Sequence, residues 1–510
     1  MATPSQTSTA VTVYLVPSET TSLAALLDGV KWGAGGVGSG AALTYSFATT
    51  SSTYAYQSEW SEGSALTATE QQAVRDALAQ WSDVADITFS EVADTSSVVG
   101  ELRFAESGKI DDAQASGWSY EPQSGTQAGD VWLSPTVFSA SKSLAPGGWN
   151  FLTLTHEIGH TLGLKHPFEA GTASTAVLPT AEDSHDYTVM SYSAYPGSVS
   201  VSASIYATTP MLYDIAAVQY LYGANESYNA GDTTYSYDGT GSYLETIWDG
   251  GGTDTIVYSS SSGGTIDLRD GEFSALGQAI RYGNGQTSSE TVAIAYGAAI
   301  ENATGGTGND MLIGNDLANV LTGNAGNDTL DGGGGVDAAV FSGMRASFTI
   351  GTDAISGEGA DSLSGIEILV FDDGVILNGT SAAFDEAFYL AQNPDIAAAV
   401  AAGSFSSGLA HFLSYGAAEG RDPNALFDSD WYLAQNPDVA AVVEAGLITA
   451  WDHYEDYGWQ EDRDPSSYFD VTAYLADYTD VAALSTNPLH HFLLYGQAEG
   501  RMATAVIDMA

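Results

Sequence analysis

His156-Glu157-Ile158-Gly159-His160-Thr161-Leu162-Gly163-Leu164-Lys165-His166 is the stretch that decides how this chain folds. Its spacing fits H-E-x-x-H-x-x-G-x-x-H. In a helix starting near Phe151, His156 and His160 are four apart and leave the same face. That separation suits two imidazole nitrogens on one zinc ion. Gly163 can take a backbone conformation that other residues avoid, so the helix ends there in a sharp turn and His166 returns as a third ligand. Three protein ligands leave a fourth position open, which marks a catalytic rather than a structural zinc site. Glu157, beside the first ligand, is placed to act as general base on a water activated by the zinc. The bland alternative is a helix with surface histidines. The chain has 8 histidines, and having three of them in this register disfavours that alternative.

Working outward, residues 41–222 read as a mixed α/β domain. Thr67 and Glu70 form a capping-box pair ahead of a helix whose Val74, Leu78 and Trp81 share one face. Leu43–Phe47, Ile87–Val92, Glu101–Ala105 and Val131–Leu133 read as strands. The segment Asp130–Ser134, just ahead of the zinc helix, is the expected sheet edge. An extended substrate would add there as a strand along Val131, Trp132 and Leu133. His185 reads as a loop residue. Residues 1–40 form an N-terminal extension with a short helix over Ser22–Trp32 and a Gly-rich linker at 33–40.

A second pattern begins at Gly305. Gly305-Gly306-Thr307-Gly308-Asn309-Asp310 fits G-G-x-G-x-D, and the register recurs at Gly314, Gly323 and Gly332, nine residues apart. This is the repeat of a calcium-binding parallel β-roll. Its sixth position holds Asp310, Asn319, Asp328 and Asp337, and its eighth holds Leu312, Leu321, Leu330 and Ala339. The aspartates supply side-chain ligands to calcium. The backbone carbonyls of Gly305, Thr307, Gly323 and Gly332 face the ion, and the eighth residue points into the roll. The roll domain is assigned to residues 223–378. Several calcium ions would act as folding ligands.

Composition narrows the function classes. The 510 residues carry 12 Lys+Arg against 64 Asp+Glu, a net charge of −52. That balance excludes a nucleic-acid binder working by phosphate neutralisation and disfavours docking on an anionic membrane. With no cysteine there is no disulfide framework, thiolate zinc ligand or cysteine nucleophile. No apolar run is long enough for membrane insertion. The first residues lack the pattern of a secretory signal peptide.

The extended histidine motif resembles that of the metzincin zinc peptidases, and Pro167 with the order Met190-Ser191-Tyr192 is similar to the serralysin branch. The resemblance implies that Met190 forms a methionine turn beneath the zinc and that Tyr192 lies beside it as a catalytic group. Ser193 departs from the tryptophan often found there, which bears on the specificity pocket. Trp248–Asp254 is similar to the isolated early turn of serralysins, which makes Asp254 a further calcium ligand. The resemblance also implies export in one step without an N-terminal signal. It further implies that the N-terminal helix packs on the β-roll, unless residues 1–40 are a pro-segment. The tail, residues 503–510, is the expected secretion signal.

Residues 384–502 contain a three-fold repeat. Tyr389, Tyr432 and Tyr474 head three units of about 40 residues, read as α-helical hairpins. Asn-Pro-Asp starts a helix in two of the units, with Asn as its cap. Gly416, Gly458 and Gly496 end helices. His411, His453 and His491 read as packing or capping residues, with a role as ligands the alternative, and Arg421, Arg463 and Arg501 pair with local carboxylates. Such repeats suggest a grip on a bacterial surface layer or glycan, or a module packed on the enzyme. The fold class is therefore multidomain α+β: a metzincin domain, a parallel β-roll and helical repeats. The expected function is a secreted, calcium-dependent zinc endopeptidase acting on protein or peptide. Two alternatives stand beside it: a calcium-dependent adhesion protein with a vestigial catalytic scaffold, and a narrow processing protease for a surface-layer protein. Oligomeric state is open.

Overall fold

The computed structural model describes all residues except 1–2, 5–9, 18–20, 57–58, 140–142, 199–200, 352, 379–383, 485 and 505–510. The secretion-signal reading of the tail therefore lies almost wholly outside the described residues. The chain divides into two compact units. The first comprises Met1–Thr255 and Arg269–Ile300, and the second Ile256–Leu268 and Glu301–Ala510.

The first unit is built on a six-stranded sheet. Its main strands are β1 (Ala41–Phe47), β2 (Ile87–Glu91), β3 (Leu102–Ser107), β4 (Gly117–Ser119) and β5 (Asp130–Leu133), in the order β2-β1-β3-β5-β4. The contacts among β2, β1, β3 and β5 are parallel, and β4 is antiparallel to β5. Helix α1 (Ala68–Val84) starts with the expected capping box: Thr67 Oγ1 accepts from Glu70 N, and Glu70 Oε2 accepts from Thr67 N. Its Val74, Leu78 and Trp81 are buried. The zinc-motif helix is α2 (Trp149–Thr161), and α3 (Leu212–Tyr222) follows later in the chain.

The N-terminal segment differs from its expected form. Helix covers only Thr21–Leu26, and Val30–Trp32 is a strand. Gly29, with φ +85°, separates them in a conformation that a helix cannot continue through. The segment lies on the zinc turn and α3 rather than forming a detached extension. Lys165 N donates to Leu26 O at 2.7 Å, Asp28 N to Gly163 O at 3.1 Å, and Trp32 Nε1 to Thr161 O at 2.7 Å. Residues 21–32 are thus part of the catalytic unit's own core.

The second unit holds the roll. Thr265–Asp267, Met311–Ile313, Thr329–Asp331 and Ala360–Ser364 form one parallel ladder. Asn302–Thr304, Val320–Thr322, Ala338–Val340 and Ile368–Phe371 form another. The eighth-position residues Leu312, Leu321, Leu330 and Ala339 are fully buried. After the roll, each repeat contains three short helices rather than a hairpin. In the second they are Ser429–Gln435, Pro437–Glu444 and Ala450–Asp456. Pro394 and Pro437 suit the extra break, because a proline ring cannot continue a preceding helix, and the third repeat makes the same break at Tyr478-Thr479 without proline. Asn393 and Asn436 make no side-chain cap. Each instead donates back to the carbonyl of Tyr389 or Tyr432, at 2.7 and 2.8 Å, and accepts from Arg421 or Arg463.

Gly416, Gly458 and Gly496 are not left-handed helix ends. A Cβ at any of them would run into the hydroxyl of Tyr389, Tyr432 or Tyr474. Each of those hydroxyls meets Nδ1 of His411, His453 or His491, at 2.8, 2.9 and 3.1 Å. Arg421, Arg463 and Arg501 each hold an aspartate and a glutamate of their own repeat. The helices of the second and third repeats share one buried core with the end of the roll, in which Ile368, Val375 and Leu377 pack with Phe427, Tyr454, Phe469 and Phe492, while Tyr389, Ile396 and Phe412 of the first repeat form a core of their own. Gln497 forms a two-way amide bridge to Leu377, and Ala503 pairs with Val375, so the last strand of the roll is covered along its edge.

Candidate active site

Helix α2 is buried along nearly its whole length, which fixes the direction of its side chains. Gly159 is required by a close approach: a Cβ there would lie 2.6 Å from Met190 Sδ. Gly163 has φ +101°, and a side chain there would meet the Val30 carbonyl. The turn brings His166 back over the helix. His166 Nε2 lies 3.2 Å from His156 Nε2 and 3.0 Å from His160 Nε2.

The outer nitrogens fix the tautomers. His156 Nδ1 is 2.8 Å from Val189 O, and His160 Nδ1 is 2.8 Å from Leu164 O. A carbonyl only accepts, so both Nδ1 atoms carry hydrogen and both Nε2 lone pairs point inward. His166 Nδ1 is held by Glu169 Oε2 at 3.1 Å in the same way. Burial, reinforced by the neighbouring imidazoles, pushes His156 well below the usual histidine range and His160 down to about 3. Three converging lone pairs, with His156 and His160 resisting protonation, fit a zinc ion.

Glu157 is buried next to this cluster. Burial pushes its carboxyl up to about 7, opposed by a 2.7 Å hydrogen bond from Ser119 Oγ. Tyr192 is half exposed, 5.7 Å from the His156 ring and 4.7 Å from the His166 ring between centroids. Its hydroxyl is pushed up to about 12 by burial and by Glu157. Met190 is fully buried beneath α2. Its turn hangs on Asp214, near the start of α3, which accepts from Thr188 Oγ1 at 2.6 Å, Val189 N at 2.7 Å and Met211 N at 2.9 Å.

The expected substrate edge needs correcting. β5 is an interior strand, with β3 on one side and β4 on the other. Val131, Trp132 and Leu133 are fully buried. The edge is β4, formed where the chain after Gly117 folds back antiparallel, and Gly117 sits against Glu157. Gly117, Trp149, Glu157, His185, Ser191 and Tyr192 line a cleft of about 420 Å³. His185 lies in a loop, as expected, and is buried there. Sequence reasoning also missed Ser119, Gly159, Asp214 and the buried Lys165. Asp214 left one signal, an acidic residue in the first turn of a helix whose N-cap position, Met211, is not Ser, Thr, Asp or Asn.

The roll aspartates form two ladders. In one, Asp361 Oδ1 accepts from Asp328 N, Asp328 Oδ1 from Asp310 N and Asp310 Oδ1 from Gly264 N, at 2.9, 2.8 and 2.7 Å. In the other, Glu367 accepts from Asp337 N and Asp337 Oδ1 from Asn319 N, at 3.0 and 2.8 Å. The second oxygens of Asp328 and Asp337 are buried without a hydrogen-bond partner among the described residues. Buried, unpaired carboxylate oxygens beside glycine-rich turns fit calcium. Other expected ligands already have protein partners. Asp310 Oδ2 accepts from Gly306 N at 2.7 Å, Gly305 O from Asn324 Nδ2 at 2.8 Å, and Asp254 Oδ1 from Thr233 N at 2.7 Å. Gly323 O and Gly332 O face the adjoining turns at Gly305 and Gly314. Thr307 N donates to Ser260 O at 2.8 Å.

Comparison with known families agrees with this geometry. The Matrixin family matches residues 46–186, the family described as peptidase M10 serralysin C terminal matches 213–378, and a Met-zincin family matches 152–233. Metalloprotease AprA of Pseudomonas entomophila is 36% identical over 330 residues, 60% of this chain and 66% of the relative. Serralysin of Proteus mirabilis is 36% identical over 282 residues, 49% of this chain and 55% of the relative. Metallopeptidase AprA of Pseudomonas marginalis is 35% identical over 303 residues, 55% of this chain and 61% of the relative. The chain thus spans between 55% and 66% of the length of these relatives. A catalytic zinc and structural calcium go with this family, and the donor sets of both units suit those ions. From its zinc helix through its glycine-rich turns, the chain is a serralysin-like metzincin.

Proposed function

We propose that the chain is a secreted, calcium-dependent zinc endopeptidase. The observation that carries this reading is the buried Glu157 carboxyl, beside three converging imidazoles and open to the same cleft. His156, His160 and His166 would hold zinc, which when bound acidifies water and polarises a scissile carbonyl. Glu157, held near neutrality by burial, takes a proton from the attacking water and delivers it to the leaving amine. Ser119 keeps the carboxylate turned toward the cleft. Tyr192 donates its hydroxyl hydrogen to the negative charge developing on the substrate oxygen. The free edge of β4 aligns an extended peptide backbone across the site.

Residues 41–222, with the N-terminal segment stitched into them, form the catalytic domain. Residues 223–378 form the calcium roll, with Asp328 and Asp337 as its principal side-chain ligands. Residues 384–502 serve as a helical cap on the end of the roll, supported by the shared core and the Gln497 bridge. No helix among the described residues is long and apolar enough to cross a membrane. Export to the extracellular medium is the reading that suits a calcium-dependent fold.

The test is cleavage of casein by the zinc- and calcium-loaded chain. Glu157→Ala should lower turnover by about 10²–10⁴-fold with zinc still bound. Equal turnover by the variant would remove Glu157 from the mechanism.

A further inference from the structure

Phe168 lies two residues past the third histidine of the zinc motif and packs on its ring. The two rings are nearly parallel, with planes 7° apart and centroids at 5.1 Å. Phe168 also meets the Tyr192 ring, with centroids 4.9 Å apart and planes at 53°. Tyr192 in turn lies against His156 and His166. Aromatic pairs attract at such separations. The Tyr192 ring is thus walled by two imidazoles and one phenyl group.

The backbone that carries Phe168 is fixed. Glu169 N donates to His166 O at 3.3 Å, closing a turn with Pro167 in its second position, where the fixed φ of proline is favoured. Leu178 N donates to Pro167 O at 2.8 Å, and Lys165 Nζ to Glu169 O at 2.7 Å. Tyr192, by contrast, is half exposed, so its ring depends on its walls for a defined position. His156 and His166 turn their Nε2 atoms to the zinc site, which leaves Phe168 as the wall that only packs. We infer that Phe168 is a positioning residue, which holds the Tyr192 ring where its hydroxyl meets the negative charge developing on the substrate oxygen. A hydrogen bond made only in the transition state acts on kcat and leaves KM unchanged. The inference rests on the peptidase reading above and concerns how that same site is assembled.

The experiment measures kcat and KM for a fluorogenic peptide, with casein as a parallel substrate, at saturating zinc and calcium. Tyr192→Phe should lower kcat by about 10²-fold. Phe168→Ala should lower kcat by about tenfold or more with KM within about twofold of wild type. The double variant should be no slower than Tyr192→Phe alone, because Phe168 acts through the hydroxyl that is already gone. Phe168→Tyr, which keeps the ring, should stay near the wild-type rate. Phe168→Leu replaces the Ala variant if that one does not fold. Zinc affinity, read by competition with a chromophoric chelator, should stay near wild type, because the Glu169 carboxylate still orients His166. Unchanged kcat in Phe168→Ala or in Tyr192→Phe overturns the inference. So does a double variant whose losses multiply, a rise in KM alone, or a zinc affinity that falls in step with kcat. Failure of the wild type to cleave casein at all would instead overturn the peptidase reading, and this inference with it.

Discussion

At the scale of single residues, the zinc site depends on groups that touch no ligand atom. Lys165 is the clearest case. Its ammonium is buried and donates to the carbonyls of Ala25 at 2.5 Å, Glu169 at 2.7 Å and Ala176 at 3.1 Å. Holding the Glu169 backbone also holds the carboxylate that orients His166. Such outer contacts are worth about 10–100-fold in metal affinity. Lys165→Met should therefore weaken zinc binding in that range, measured by competition with a chromophoric chelator. Unchanged zinc affinity in a folded variant would show that Lys165 only packs. The sequence displayed His156, Glu157, His160 and His166 openly, because a helix converts local spacing directly into geometry. Lys165 was hidden because it fills an unspecified position of the motif, and Ser119 and Asp214 because they reach the site from the β4 edge and a later helix, where no spacing rule connects them to the motif. His185 was visible, but nothing local says that a loop histidine will be buried.

At the scale of elements, the three helical repeats show how one close contact can organise a unit. The tyrosine that begins each repeat lays its hydroxyl on the glycine that closes it, and a histidine fixes the hydroxyl. Gly458→Ala should destabilise the chain by about 1–3 kcal/mol through overpacking against Tyr432. Tyr432→Phe removes the obstructing oxygen, so the double variant should be more stable than the two single losses add up to. Simple additivity in urea titrations would mean that glycine is needed there for another reason. The same contact explains why the sequence showed the repeat but not its form: Tyr, His, Gly and Arg recur visibly, whereas the break between the first two helices is a single residue of backbone that all three repeats share without a common residue type. In the roll, the period of nine and the buried eighth position were legible because each turn repeats the last. A further turn, Ser356-Gly357-Glu358-Gly359-Ala360-Asp361-Ser362-Leu363, escaped notice because the strands Thr349–Ile350 and Ala354–Ser356 intervene and break the phase. The sheet edge was misread because β4 is only three residues long, too short for any alternation to show.

At the scale of the whole molecule, the net charge of −52 makes stability a function of pH and calcium together. Several carboxyls outside the roll are held protonated by burial. Asp130 is pushed up to about 8 by its buried position, which outweighs the opposing Tyr56 hydroxyl and Arg103 guanidinium. Asp214 and Asp422 are pushed up to about 7 by the same cause. An unfolded aspartate titrates near ~3.9. Between about pH 4 and 8 the folded chain therefore keeps protons that the unfolded chain releases, and the stability they confer is lost as the pH rises. His156, His160 and His185, held neutral in the folded chain, oppose this below about pH 6.5, where unfolded histidines are charged. In calcium-free buffer the melting temperature should therefore fall most clearly from about pH 6.5 to 8. Asp130→Asn, which fixes the neutral form and keeps an oxygen toward Tyr56, should flatten the upper part of that slope. Added calcium should oppose the fall and do so more strongly at high pH, because its ligands bind as carboxylates and metal binding releases protons. Melts across this range, with and without calcium at constant zinc, read both effects in one experiment. A calcium-free melting temperature that climbs with pH would show that the buried carboxyls are ionised in the folded chain. The acidic composition would then act through the protein surface alone.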